Sequence, residues 1–347
     1  MQNMDMLSIT LKEWEEILIQ WEEPTFRAKQ IFDWLHKKHI TEIEDMTNIS
    51  KNLREKLKKY GTISGVKQVK KLVSQIDGTI KYLFEIEGGL VIESVLMRYH
   101  YGNTACISTQ AGCRMGCRFC ASTINGVERN LTAGEMLSQI YEIQKDIGER
   151  ISSVVLMGSG EPLDNYDNVL RFIRLANDEK GLCLGQRHIT LSTCALVEKI
   201  YNLLEEDLQI TLAVSLHAPN DTIRQSIMPV AKKYSIEEVL KVCKEYSDKT
   251  KRRITFEYAL IKGVNDSDSC AEELAFKLHN MLCHVNLIPV NTVKEREYIK
   301  SSEQRVQRFA QIIEKKGVEV TIRRKLGSDI DAACGQLRRS YQKGKKT

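Results

Sequence analysis

Cys113, Cys117 and Cys120 stand in the run Gly112-Cys113-Arg114-Met115-Gly116-Cys117-Arg118-Phe119-Cys120, a C-x3-C-x2-C spacing. Three thiolates so placed can hold a four-iron cluster while leaving one iron without a protein ligand. Four cysteines would close such a cluster and suit it to electron transfer. Three leave an open coordination position, by the logic that separates closed structural zinc sites from open catalytic ones. Radical chemistry driven by S-adenosylmethionine (SAM) needs a position of that kind.

The chain has 10 Cys in 347 residues, and at that frequency chance yields this spacing roughly once in a hundred such chains. The plainer alternatives are a structural zinc site and unliganded thiols. Structural zinc usually takes two Cys/His pairs, and no second pair lies nearby; Cys106 is close but outside the tight loop. Cys183, Cys194, Cys243, Cys270 and Cys283 read as small buried packing residues, with Cys194 close to the strand ends that would form a cofactor pocket.

Placing three thiols requires a rigid scaffold, and from about residue 103 the sequence alternates strand and helix patterns. Strands are expected over 104–109, 151–157, 187–192, 209–216, 253–261, 284–290 and 318–323, and helices over 132–147, 165–177, 235–247, 266–281 and 302–316. Thr132, followed three residues later by Glu135, marks the clearest helix start. Repeated strand–helix units predict an α/β fold with a parallel sheet and right-handed crossovers, a partial (βα)6 barrel. Ahead of it, residues 1–61 read as a small helical domain, with Phe26, Ala28, Ile31, Trp34 and Leu35 at helical spacing. Residues 62–98 change period, with Tyr82, Phe84 and Ile86 alternating between the turn signals Asp77-Gly78 and Gly88-Gly89, and read as a short antiparallel β connector. The barrel core is expected over 99–335 and a basic tail over 336–347.

Active residues of parallel barrels sit at the carboxyl ends of the strands. The cysteine loop follows the first barrel strand. Gly158-Ser159-Gly160-Glu161 follows the second, Ser192-Thr193 ends the third, Ser215-Leu216-His217 ends the fourth and Asn291 ends the sixth. Glycines there let a backbone approach a ligand, and Glu161 offers a carboxylate to an ammonium or hydroxyl. Singly, each of these is more often a turn or a satisfied loop residue; their shared rim is what gives them weight. Glu93, inside the apolar run Val91-Ile92-Glu93-Ser94-Val95, is either on a wet face or deliberately placed, and Cys334 by position alone reads as a small buried residue.

Composition is ordinary, with 42% hydrophobic and 28% charged residues and a net charge of +5. No apolar run spans a membrane, and the first residues carry no secretory pattern, so a cytoplasmic protein without a membrane partner is expected. Basic residues cluster at Lys51, Arg54, Lys56, Lys58 and Lys59, at Arg323-Arg324-Lys325, and in the tail at Arg338, Arg339, Lys343, Lys345 and Lys346. Such patches bind phosphate backbones, although any one of them taken alone reads as solvated surface charge.

Together these segments resemble the dual-specificity RNA adenine-C2 methyltransferases of the radical-SAM superfamily, the RlmN group, with the Cfr resistance methyltransferases as cousins. The resemblance covers nearly the whole chain. It is carried by Pro24-Thr25-Phe26-Arg27-Ala28-Lys29-Gln30-Ile31, Val91-Ile92-Glu93-Ser94, Cys106 with Gln110-Ala111-Gly112-Cys113, and Met157-Gly158-Ser159-Gly160-Glu161-Pro162-Leu163. It continues through Ser215-Leu216-His217-Ala218-Pro219-Asn220, Asn286-Leu287-Ile288-Pro289-Val290-Asn291 and Asp329-Ile330-Asp331-Ala332-Ala333-Cys334-Gly335-Gln336-Leu337. Two positions depart: Ser159 stands where the family usually has Met, and Ala195 where it has Gly.

The resemblance implies that Cys113, Cys117 and Cys120 ligate a [4Fe-4S] cluster. Gly160, Glu161, Ser192, Ser215, Leu216, His217 and Asn291 would contact SAM, of which two molecules are used per turnover. Cys334 would carry a methyl group, Cys106 would resolve it through a transient disulfide, and Glu93 would accept a proton. The substrates implied are an adenosine of 23S rRNA near the peptidyl-transferase centre and the adenosine 3′ of the anticodon in tRNA, with the helical domain on RNA, an external electron donor, and a monomeric enzyme. The chemistry is intelligible from the target: adenine C2 lies between two ring nitrogens and is too electron-poor to displace a methyl group itself, so a radical route through a cysteine-bound methyl is needed. The alternative within the group is methylation at C8 of the same rRNA adenosine; Glu161-Pro162 favours C2. Rivals from other classes are a metal-stabilised RNA-binding protein and a radical enzyme acting on a small molecule.

Overall fold

The structure, a computed structural model, describes residues 4–290, 298–330 and 341. The amino-terminal part is helical, as its periodicity predicts. A two-residue strand β1 (Met4–Asp5) pairs in parallel with β2 (Gly61–Thr62) and brackets α1 (Leu11–Gln20), α2 (Phe26–His36) and α3 (Lys51–Tyr60). Thr10 and Glu13 form a reciprocal capping box at the start of α1, which satisfies two otherwise stranded N–H donors. Ala28, Ile31 and Leu35 of α2 face the core while Phe26 is exposed. The basic run on α3 is partly neutralised: Lys56 pairs with Glu23, and Lys58 with Glu44 and Glu55.

The rest of the chain builds one ten-stranded sheet. β3 (Lys67–Val73), β4 (Ile80–Glu85), β5 (Val91–Tyr99) and β6 (Gly102–Cys106) run antiparallel, turning at Asp77-Gly78 and Gly88-Gly89. A small hairpin follows, β7 (Gln110–Gly112) with β8 (Val127–Asn130), and between its arms lies the cysteine loop. Then α4 (Ala133–Ile147), β9 (Ile151–Leu156), α5 (Tyr166–Asn177), β10 (Ile189–Thr193), α6 (Val197–Leu204) and β11 (Thr211–Ser215) alternate. They are followed by α7 (Asp221–Ile227), α8 (Ile236–Thr250), β12 (Ile254–Leu260), α9 (Asp268–Leu278), β13 (Cys283–Pro289), α10 (Glu303–Lys315) and β14 (Glu319–Ile322).

β6, β9, β10, β11, β12, β13 and β14 are all parallel and lie side by side in that order. Six helical crossovers return the chain to the next strand, and the sheet remains open, as expected of a partial barrel. The expected strand 104–109 ends at Cys106, and the chain then turns into the hairpin. The antiparallel strands are continuous with the barrel sheet because β5 pairs with β6 directly.

Alternation along the strands assigns two faces. Tyr82, Phe84, Ile92, Leu96 and Ala105 pack into the main core beneath the helices. Leu83 and Val91 form one small cluster on the opposite face, and Val95, Met97 and Cys106 form another with Val155, Met157 and Leu326. That second face is the inner surface of the barrel, and it leads to the cysteine loop. Among the described residues, no helix is long and apolar enough to cross a membrane.

Candidate active site

The cysteine loop is held by its backbone. Cys113 N–H donates to Gly126 O at 2.9 Å, and Arg118 N–H to Ile227 O at 2.9 Å. The Thr123 hydroxyl donates to the carbonyls of both Cys117 and Cys120 at 3.0 Å. Gly112 has φ +86, and a Cβ there would meet Gly126 O at 2.0 Å, so glycine is required where the loop leaves the hairpin. Cys113, Cys117 and Cys120 all line one cavity of ≈ 270 Å³ at the carboxyl ends of the barrel strands.

Two of the thiols resist ionisation as they stand. Burial pushes Cys113 up to about 12, with Cys120 adding to the effect. Burial likewise drives Cys117 well above its ordinary value, and the Cys120 and Cys113 sulfurs push it further. A cationic iron group inverts this logic by binding thiolates outright. Among the described residues, no three His, Cys, Asp or Glu side chains converge as the ligands of a single ion would. Cluster ligands bind different irons and stand farther apart, so three sulfurs around one cavity fit a [4Fe-4S] group better than tetrahedral zinc.

Opposite the thiols, the second strand end is built for close approach. Ser159 O accepts from Thr109 N and Gln110 N at 2.9 and 3.1 Å. Gly158 lies against the backbone of Ile107 and Ser108, and Gly160, at φ +113, lies against Thr109 and Gln110. Glu161 is 3% exposed, with Oε1 accepting from Leu163 N at 3.0 Å and Oε2 from Cys194 N at 2.7 Å. Burial raises its carboxyl above the ordinary range while these donors oppose the shift. The Ser159 hydroxyl is buried without a partner among the described residues, and Ala195 has φ +72.

His217 ends the fourth barrel strand at φ 57, its ring packed edge-on to Phe119 at 4.9 Å. Its Nδ1 accepts from Ala259 N at 2.9 Å, which puts the ring proton on Nε2. Burial, with the Arg224 charge beside it, lowers this imidazole to about 3, so it is neutral.

Gly160, Glu161, Ser192, Ser215 and His217 therefore line the same cavity as the cysteines. Leu216 does not: its side chain sits in the main core, and its N–H donates to Glu257 O at 3.1 Å. Asn291 and Cys334 lie outside the described residues. Glu93 and Cys106 sit on the adjoining inner face, joined to the cavity through Met157. Glu93 is 3% exposed and pairs with Lys81. Cys106 stands opposite Val95 on β5, two residues along from Glu93, a diagonal relation of about 7–8 Å between backbones. Of the five packing cysteines, Cys194, Cys243, Cys270 and Cys283 are buried and Cys194 lines the cavity, whereas Cys183 is exposed, in a left-handed turn outside the core.

Several site residues were not read from the sequence. Arg224 of α7 is fully buried and donates to the carbonyls of Cys194, Leu216 and Tyr234 at 3.0, 3.3 and 3.1 Å, tying the rim together. Glu257 on β12 lines the cavity, accepts from Asn286 Nδ2 at 2.9 Å, and is raised to about 7 by burial. Lys81 could have been found from its spacing of two from the buried Leu83, which puts it on the same covered face.

Residues 107–274 match the Radical SAM superfamily, and residues 4–63 match the "Ribosomal RNA large subunit methyltransferase N-terminal domain". A "Probable dual-specificity RNA methyltransferase RlmN" of Clostridium novyi (strain NT) is 57% identical over 337 residues, covering 97% of this chain and 98% of the relative. One of Alkaliphilus oremlandii (strain OhILAs) is 58% identical over 341 residues, covering 98% and 99%. The crystal structure of a radical SAM methyltransferase from Sphaerobacter thermophilus superposes with a TM-score of 0.90 at 43% identity, over 96% of this chain and 98% of that one.

Proposed function

The chain belongs to the RlmN family of dual-specificity RNA methyltransferases within the radical-SAM superfamily, and from that premise we propose that it methylates C2 of an adenosine in 23S rRNA near the peptidyl-transferase centre and of the adenosine 3′ of the anticodon in tRNA. The observation that carries the reading is the one cavity that gathers Cys113, Cys117, Cys120, Glu161, Ser192, Ser215 and His217, next to a face bearing Glu93 and Cys106.

Cys113, Cys117 and Cys120 would hold the [4Fe-4S] cluster through their thiolates. When bound, cluster and SAM supply the one-electron cleavage that generates a carbon radical, and SAM also supplies the methyl group. Gly160 lets the backbone close on the cofactor, Glu161 and Asn291 meet its polar end, and Ser192, Ser215 and the Nε2–H of His217 offer hydrogen bonds to its nucleoside, with the Leu216 backbone completing the rim.

Cys334 would carry the methyl carbon, which would be joined to C2 of the base once one of its hydrogen atoms had passed to the SAM-derived radical and the adduct had returned one electron to the cluster. From the closed-shell adduct, in which C2 bears both hydrogen and the S-bound methylene, the Glu93 carboxylate takes the C2 proton and the C–H pair restores the aromatic ring. The Cys106 thiolate then attacks the Cys334 sulfur: an S–S bond forms, and the C–S pair leaves with the methylene carbon, which takes up a proton to become methyl. An external thiol or electron carrier reduces the disulfide. The target base must leave its stack to reach this site, and the basic clusters on α3 and around Arg323 would track the RNA backbone. RNA substrates of this kind place the enzyme in the cytoplasm.

The test is anaerobic reconstitution with iron, sulfide and reductant, then incubation with SAM and unmodified 23S rRNA, with modified nucleosides identified by mass spectrometry. The expected result is 2-methyladenosine with wild type and none with Cys334→Ala. 8-Methyladenosine would overturn the choice of carbon, and SAM cleavage without any methylated adenosine would overturn the substrate.

A further inference from the structure

Lys81 Nζ lies 3.2 Å from Glu93 Oε2, and the two side chains are 0% and 4% exposed. Lys81 is on β4 and Glu93 on β5, both on the inner face of the sheet. Across the strands, Lys81 is in register with Val95, and Val95 with Cys106. The ammonium, the carboxylate and the proposed resolving thiol thus surround one apolar residue.

Stability does not account for this pair. Taking two charges out of water costs several kcal/mol per ion, and well-packed apolar residues in their place are often neutral or stabilising. The surroundings here are Leu83, Val91, Val95 and Met97, where an apolar pair would pack. A carboxylate that must be charged and ready in such a setting, however, needs a fixed counter-charge, because burial otherwise favours its neutral form. The Glu93 backbone is fixed as well: Ser108 Oγ donates to Glu93 O at 2.7 Å, and Ser159 N donates to Ser108 Oγ at 2.9 Å, which links this strand to the glycine loop at the cavity.

We infer that Lys81 is a positioning residue for the proton-transfer step: its ammonium holds Glu93 as an oriented carboxylate beside Cys106, set to take the C2 proton of the RNA adduct. The inference rests on the proposed role of Glu93. The bond broken is C2–H, the bond formed is O–H on Glu93, and Lys81 keeps all its protons throughout. Its substrate-side consequence is confined to resolution of the adduct. Other ionisable groups on this face are Cys106 and Tyr99, Glu85 on β4 with Lys67 opposite it, and Lys70 and Tyr341 at its outer edge; they are common to wild type and variants.

The experiment uses the reconstituted enzyme and follows the covalent protein–RNA adduct on denaturing gels after a single turnover with 23S rRNA, across pH 6.5–9. Lys81→Met is expected to form the adduct and to resolve it roughly tenfold or more slowly at neutral pH, within the range of a lost acid–base contribution. Lys81→Arg is expected to stay within about threefold of wild type, since it restores the charge. A Lys81→Met enzyme that resolves at the wild-type rate at every pH, while Glu93→Gln stalls, overturns the role of Lys81 and leaves that of Glu93 standing. Normal resolution by Glu93→Gln overturns the reading on which it rests. If Lys81→Met loses its cluster absorbance, Lys81→Gln, which keeps a donor but no charge, is measured in its place with the same outcomes.

Discussion

Glu161 Oε2 accepts a hydrogen bond from the backbone N–H of Cys194 at 2.7 Å, so a single carboxylate spans the carboxyl ends of β9 and β10. Its other oxygen accepts from Leu163 N. Glu161→Ala strands both donors in a buried place, at about 1–3 kcal/mol each. The apoprotein is expected to lose roughly 2–5 kcal/mol in urea unfolding at an unchanged m-value. A loss below about 1 kcal/mol would show that this carboxylate is not a structural brace.

Gly160 and Gly148 both have positive φ, but only Gly160 is enclosed. A Cβ at Gly160 would lie 2.8 Å from Gln110 N and 2.7 Å from Thr109 Oγ1, whereas none of the described atoms lies within 4 Å of one at Gly148. Gly148→Ala therefore pays only for the left-handed backbone, about 1–2 kcal/mol. Gly160→Ala must also push the loop off Thr109 and Gln110, and is expected to cost about 2 kcal/mol more. Melting curves of the two variants, taken side by side, read the difference directly.

Ala195 is fully buried at φ +72. Ala195→Gly gives up a buried methyl, worth about 0.8 kcal/mol, and some unfolded-chain restriction, and gains relief from the left-handed strain of about 1–2 kcal/mol. These terms nearly cancel, so the substitution is expected to change stability by less than about 0.5 kcal/mol, whereas Ala195→Val, β-branched in the same conformation, should lose about 3 kcal/mol. Chemical denaturation of the pair checks both numbers.

Two buried histidines add to the loss of stability in acid. Burial lowers His36, which contacts the Tyr141 hydroxyl at 2.9 Å, and His217, each to about 3. Between that value and the ordinary 6.5 the unfolded chain binds protons that the folded chain does not. Stability due to these groups is thus complete above pH 6.5 and declines as pH falls toward 3. At pH 5 each accounts for about 2 kcal/mol. His36→Phe should flatten the acid limb of a melting-temperature-against-pH curve between pH 6.5 and 4; an unchanged slope would mean that His36 does not titrate on unfolding.

The barrel was legible because each of its units carries local signals. Thr132 with Glu135 forms the capping box that its spacing announces, and the strand ends fall within a few residues of their apolar runs. The site was legible to the extent that its ligands share one short loop. What escaped depends on pairing between distant segments. Nothing local to Lys81 says that its ammonium will face Glu93, because that follows from the β4–β5 register. Arg224 reads as a surface charge on a short helix until the carbonyls of β10 and β11 close around it. That Lys56 and Lys58 of the α3 patch are paired was not legible either, because Glu23 and Glu44 come from other segments.

Asp329 accepts from Ser74 Oγ at 2.7 Å and from Gln75 N at 2.9 Å, and Gly327 N donates to Asp77 at 2.8 Å, joining residues 250 or more apart in the chain. The turn between β3 and β4 thus has partners that lie most of the described chain away from it. Contacts of such sequence separation form late. The strands of the sheet can therefore pair one after another before this closure is made, and residues 327–329 dock on the β3–β4 turn as a late step of folding, clasping the two ends of the sheet's sequence together.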